Sequence, residues 1–368
     1  LVVRCADDLA QALQALFKPM LTLAQLLADR LDEESETLDS DSRRRIDAAA
    51  RGLRRRAEAV KSWFSMLGNL GRPLPPEFVD WFGVERIEGR ATDVGMYRHW
   101  LDPTTPFSQA VLQRAHGVLV TSASLRDRTL DNGDGDDGSG DWQSAEVRTG
   151  AHHMPLPARR ASLPSPYDYA EVTRVLVVND VRRNDANQVA AAYRELFIAA
   201  GGGGLGLFTA IARLRATQAK LVGPLEDAGI PLLSQHTDAL DTGTLVDIFR
   251  AEEDACLLGT DAVRDGVDVP GRSLRLIVFD RVPWPRPGIL HRARKSAFGG
   301  SRYDDMLTRL RLKQAFGRLI RGNTDRGVFV MLDSALPTRL LDAFPEQIEV
   351  QRLGLAEAVS ITRDFLLP

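Results

Sequence analysis

A chain of 368 residues is longer than one hydrophobic core usually organises, so two or three domains are expected. Its 47 basic and 50 acidic side chains leave a net charge of −3, which excludes a protein-wide basic field and confines any nucleic-acid binding to local patches. With 44% hydrophobic and 26% charged residues the composition is that of an ordinary soluble globular protein. Cys5 and Cys256 by themselves make no disulfide framework, zinc site or four-thiolate cluster, and a reducing, cytoplasmic setting is the default. No apolar run approaches the roughly 20 residues of a membrane span, and no signal peptide is visible. The chain opens at Leu1 without a methionine, which points to a fragment or a processed piece.

Residues 1–70 carry helical periodicity throughout, interrupted by an acidic patch near Asp32 to Asp41, which predicts a helical hairpin. Its second arm holds Arg43, Arg44, Arg45, Arg51, Arg54, Arg55 and Arg56. That cluster either tracks a phosphate backbone or is a solvated face offset by Asp47 and Glu58. Gly68, Gly71, Pro73, Pro75 and Pro76 end the helix and form a linker. Residues 78–90 suggest strands, and GVLVTS (117–122) has the short apolar run of a buried parallel strand. The stretch DNGDGDDGSGD (131–141) invites a calcium-loop reading, but Gly138 falls where a ligand belongs and no glutamate closes the loop, so a disordered surface loop is expected.

From residue 165 strand and helix alternate regularly. Strands are expected at 174–178, 205–210, in PLLSQ, in ACLLG, in LRLIVFD and in GVFVML, with helices at 186–199, 211–228 and 242–251. Such alternation predicts a mostly parallel sheet with helices on both faces, whose ligands sit at the carboxyl ends of the strands. The GGGGLG of 201–206 follows a helix and precedes a strand, the reverse of what pyrophosphate binding requires, and is expected to be a flexible turn. In LTRLRLKQAFGRLIR (307–321), Arg311, Gln314, Arg318 and Arg321 fall at helical spacing, opposite Leu312, Phe316, Leu319 and Ile320. The expectation is one helix with a cationic face, suited to a polyphosphate or simply solvated.

Three strand-end stretches now stand in order: TSAS (121–124), GTDAVRDGVD (259–268) and QAFGRLIR (314–321). Together they resemble the third, fifth and sixth motifs of superfamily-two helicases, in the DinG/XPD-like branch. The likeness extends through SPYDYAEVTRVLVV (165–178), through GLFTA (206–210), similar to the fourth motif, and through residues 257–287 and 312–333, and it covers roughly residues 78–345. It implies a RecA-like fold: an arch-like helical hairpin at 1–72, the remaining part of a first motor domain at 73–164, and a complete second motor domain at 165–368.

By the same resemblance, Arg321 would be the arginine finger, Arg318 would lie beside it, and Gln314 would help hold ATP. Asp268, with Gly266 permitting its turn, would link DNA contact to the nucleotide. Gly259, Thr260 and Thr209 would contact DNA, the first two through a backbone amide and a hydroxyl on phosphate. Thr121 and Ser122 would couple the domains. This chain has TSAS where the family has a TSAT-like sequence. No phosphate loop of the G-x-x-x-x-G-K-[ST] type occurs, nor a D-E-A-H for magnesium and the attacking water. The implied parent is thus an ATP-dependent DNA helicase needing ATP and Mg2+, acting as a monomer on single-stranded or forked DNA. This chain is its C-terminal part, inactive alone, with no metal site and no iron–sulfur cluster of its own. The rival expectation is a non-catalytic nucleic-acid-binding or protein-interaction module on a RecA-like shell, binding through residues 43–56.

Overall fold

The computed structural model describes residues 2–34, 36–73, 75–87, 89–127, 140–261, 263 and 268–367. Most of the acidic loop, residues 131–139, lies outside them, and so does Gly266. The chain divides into two compact units, Leu1–Gln109 with Pro287–Ala297, and Ala110–Arg286 with Phe298–Pro368.

The first unit opens with the expected helical hairpin, Val2–Glu33 and Ser40–Gly68. Asp39 caps the second helix by accepting the N–H groups of Asp41 and Ser42, the usual way a short polar side chain satisfies orphan donors at a helix start. Small residues let the two arms approach, with Ala24, Ala50 and Ala57 buried, and Phe17 meets Phe64 edge-on with centroids 5.6 Å apart. An antiparallel ribbon follows, β1 (Phe78–Ile87) and β2 (Arg90–Trp100), in a register that sets Phe78 opposite Trp100. The Trp63 indole donates to the Met96 carbonyl at 3.1 Å and fastens the ribbon to the second helix. A forked pair from Arg98 to Asp80, at 2.9 and 2.7 Å, holds the two strands together. The helix Ile289–Ala297 returns to this unit, where Arg294 donates to the carbonyls of Leu101 and Trp100.

The second unit is the expected α/β domain. Seven strands run in the order β5-β6-β4-β7-β8-β3-β9, and every neighbouring pair is parallel. They are β3 (Thr173–Val178), β4 (Gly204–Leu207), β5 (Leu232–Ser234), β6 (Cys256–Gly259), β7 (Leu276–Phe279), β8 (Gly327–Met331) and β9 (Val350–Leu353). The two-residue period of a strand sorts its side chains to two cores. Val175, Val177, Ile277, Phe279 and Phe329 join the helices Thr242–Ala251 and Ser301–Phe316 on one face. Leu176, Val178, Leu276, Val278 and Val330 join Ala186–Ala199, Ile211–Asp227 and Leu355–Leu366 on the other.

Three expectations are corrected. GVLVTS has no regular secondary structure and belongs to no sheet, and Leu119 is 88% exposed. A parallel strand exists only beside a hydrogen-bonded neighbour, and among the described residues none pairs with this segment. The glycine-rich turn is in the expected place, after Ala186–Ala199 and before β4, but it is clamped rather than loose. Gly201, Gly202 and Gly203 all have positive φ, and a Cβ on Gly202 would lie 1.9 Å from the Asp254 carbonyl oxygen. Arg275, 4% exposed, donates to the carbonyls of Ala200, Gly201, Glu253 and Arg272 and pairs with Asp254 at 2.7 Å. Finally, the helix expected to run to residue 321 stops at Phe316, with Gly317 as its cap.

Cys256 is buried against the second core, and burial pushes its thiol up to about 12, whereas Cys5 is exposed. Because the thiolate is the reactive form, a thiol reagent at neutral pH is expected to modify one cysteine promptly. The second should react only on unfolding; prompt reaction of both would contradict this burial.

Candidate functional site

The carboxyl ends of adjacent strands build the site. Beyond β4, the Thr209 amide donates to Asp280 Oδ1 at 3.1 Å, and Arg213 Nε meets Asp280 Oδ2 at 2.6 Å. Asp280 is fully buried just past β7; burial pushes its carboxyl up and Arg213 pulls against that. The buried carboxylate therefore fixes Thr209 at the strand end. Beyond β6, both donors of Thr260 go to one acceptor, with its N–H 2.9 Å and its hydroxyl 3.0 Å from Gln235 Oε1. Gly259 is required by packing, since a Cβ there would lie 2.5 Å from Val263 Cγ2. Thr209, Gly259 and Thr260, which the resemblance implies would contact DNA, thus share one edge of the sheet, at the ends of the neighbouring strands β4 and β6.

Arg321 reaches the site by a turn, not along a helix face. After Gly317, Arg318 N–H donates to Ala315 O and Leu319 N–H to Phe316 O, while Leu319 and Ile320 bury themselves in the core. Asp325 Oδ2 then accepts the N–H groups of Arg321 and Gly322 at 2.7 and 2.6 Å, and the Tyr167 hydroxyl donates to the Arg321 carbonyl at 3.0 Å. The backbone is held on both sides. The guanidinium is not: its contact is Asp268 Oδ1 at 3.4 Å, with the Arg321 side chain 36% and the Asp268 side chain 72% exposed. Sequence spacing places these two 53 positions apart, and the fold joins them. Gln314 remains on the helix, half-buried, and Arg318 is half-buried beyond the cap. Arg311, which helical spacing placed with them, donates to the Pro283 carbonyl at 2.8 Å.

Thr121 and Ser122 are exposed, and Ser122 Oγ accepts the Ser124 amide at 3.2 Å in a local turn. Arg148 holds the turn directly, donating to the carbonyls of Ser124 and Leu125 at 3.0 and 2.7 Å, and Asp127, which spacing did not single out, ties the segment to the helix Ser301–Phe316. Its carboxylate takes a fork from Arg309 at 2.9 and 2.7 Å, with side chains 6% and 4% exposed, and Lys313 Nζ stands 3.6 Å away. Burial works against the Arg309 charge, but Asp127 outweighs it and the guanidinium's pKa is raised; burial lowers that of Lys313. Lys313 also donates to the Arg126 carbonyl at 2.8 Å. The TSAS turn is thereby anchored to the helix that leads into Arg321. The one sequence signal was an arginine and a lysine at i, i+4 on that helix, which alone names no partner.

Parallel strands wound with helices on both faces thus place threonines and a half-exposed arginine at their carboxyl edge, where sheets of this kind bind ligands. Residues 193–351 match the helicase C-terminal domain family. The chain is 42% identical over 151 residues to the ATP-dependent helicase DinG of Mycobacterium tuberculosis, covering 39% of this chain and 22% of that protein. It is 31% identical over 188 residues to the ATP-dependent DNA helicase YoaA of Escherichia coli, covering 48% and 29%. The structure of Xpd4 from S. tokodaii aligns over 94% of this chain and 74% of its own at 12% identity, with a TM-score of 0.40. Residues 193–351 thus carry a helicase C-terminal domain, and the chain is similar to the C-terminal portion of DinG/YoaA-type helicases; it spans less than a third of the length of these two curated relatives.

Proposed function

We infer that this chain is the finger-bearing half of an ATP-dependent DNA helicase, one that couples ATP hydrolysis to movement along single-stranded or forked DNA. The observation that carries this is the meeting of Arg321 with Asp268 beside the strand ends that hold Thr209 and Thr260. A guanidinium with a fixed backbone, a half-exposed head and one long contact to an exposed carboxylate exchanges that partner for a phosphate at little desolvation cost. In this role the Arg321 fork meets the terminal phosphate as charge shifts during hydrolysis, with Arg318 and Gln314 beside it. Asp268 releases Arg321 when the phosphate arrives and so reports nucleotide state to the segment that begins at Thr260. Ser122 and its turn, fastened through Asp127, couple this unit to the opposite wall of the cleft.

ATP and Mg2+ belong to the complete cleft. The sequence has no phosphate loop and no D-E-A-H, so the residues present do not cradle the phosphates or hold the metal. The isolated chain is therefore expected to show no steady ATP turnover while binding single-stranded DNA with a salt-dependent affinity. Steady turnover by the purified chain that disappears in Arg321→Ala would overturn this. A binding module working only through residues 43–56 is less well supported, because Arg44 and Arg51 are paired with Asp41 and Asp47.

A further inference from the structure

His236 follows β5 and is the one non-glycine with positive φ among the described residues, at 68°. A side chain in that region costs about 1 kcal/mol or more, so the surroundings must hold it there. Arg215 does so, donating to the His236 carbonyl through Nε at 3.3 Å and Nη2 at 3.0 Å. The ring is exposed, and its Nε2 lies 3.4 Å from Thr260 Oγ1 across the β5–β6 pair. Gln235 beside it is 5% exposed; its amide donates to Thr242 Oγ1, and its Oε1 takes both Thr260 donors.

These bonds have a consequence for the DNA track. With its N–H and O–H both directed at Gln235, Thr260 offers an approaching phosphate an oxygen whose proton points elsewhere. Because the Thr260 proton goes to Gln235, the His236 Nε2–H is the donor of the long 3.4 Å contact to Thr260 Oγ1, and at the exposed surface it can be shared with, or surrendered to, an approaching phosphate. We propose that His236 is a phosphate-contacting residue of the DNA track, supplying at the end of β5 the donor that Thr260 has given to Gln235. The proposal rests on the reading of these strand ends as the DNA path.

The test compares two variants that tolerate positive φ, His236→Gly and His236→Asn, in the 368-residue chain. Binding of a fluorescent oligodeoxythymidylate is read by anisotropy at low salt, beside thermal unfolding of each variant. Glycine removes the ring and relieves the backbone, so its Tm should not fall. Its affinity should drop about tenfold or more, the worth of one hydrogen bond to a charged partner. Asparagine, which accepts the left-handed region and restores an N–H donor, should bind within about twofold of the parent. Unchanged affinity in His236→Gly overturns the proposal. If Thr260→Ala then weakens binding, the track reading survives without His236; if it too is silent, both fall.

Discussion

Replacing Arg321 by alanine in the complete ATP-hydrolysing protein is expected to slow DNA-stimulated turnover by roughly a thousandfold or more, the range seen when an arginine finger is withheld. The loss should fall on kcat, since the charge it meets develops during the reaction, not on nucleotide binding. Structure supports a clean experiment. The guanidinium pairs with exposed Asp268, and the backbone is positioned by Asp325 and Tyr167, which the substitution leaves alone. Folding should therefore be unaffected. Lysine should not rescue, because a point charge cannot reproduce a planar fork. Asp268→Ala should behave differently: it frees the guanidinium, leaves the finger in place, and uncouples turnover from DNA. Turnover of Arg321→Ala within tenfold of the parent would remove this residue from the role.

Asp127→Ala is expected to destabilise the second unit by about 3–5 kcal/mol, because it leaves Arg309 charged, buried and without its fork. For a domain of this size that corresponds to a fall in Tm of roughly 10 °C or more. The double variant Asp127→Leu with Arg309→Met should recover most of the loss, since replacing a whole buried pair by apolar groups of similar size is often neutral. A calorimetric transition for Asp127→Ala within about 1 kcal/mol of the parent would show that the pair is hydrated and open. The same experiment bears on function, for the double variant restores packing without restoring the anchor between the TSAS turn and the helix before Arg321. Recovered stability with lost coupling is the expected combination.

How far these sites could be read from the sequence differs from place to place for physical reasons. β3, β4, β6, β7 and β8 announced themselves because strands buried on both faces are continuous apolar runs, and Ala186–Ala199 came out at its observed ends because Asp185 caps it. The end of Ser301–Phe316 was missed although Gly317 marked it: helical spacing of arginines past a glycine is arithmetic, not structure, and the turn is dictated by Asp325 and by burial of Leu319 and Ile320. The apolar run 117–120 had the composition of a strand, but pairing is a property of two segments and cannot be read from one. The clamp on the glycine turn was likewise invisible, because Arg275 lies 74 positions from Gly201. Asp127 and Arg309 are 182 positions apart. The roles proposed for Arg321 and Asp268 rest on the resemblance, since neither residue's chemistry is specific by itself.

The strand order has a further consequence for how the second unit comes into being. β3 is the first of its strands to be made, yet it lies between β8 and β9, the last two, with Thr173 opposite Gly327 and Val175 opposite Val350. During synthesis β3 therefore waits with both hydrogen-bonding edges open while β4 to β7 can already pair among themselves. Closure of the sheet is a late, long-range event, slow by the entropy of the loop it must gather. A chain halted before residue 327 would hold a partly formed sheet beside an orphaned apolar strand, a species prone to association with its own kind.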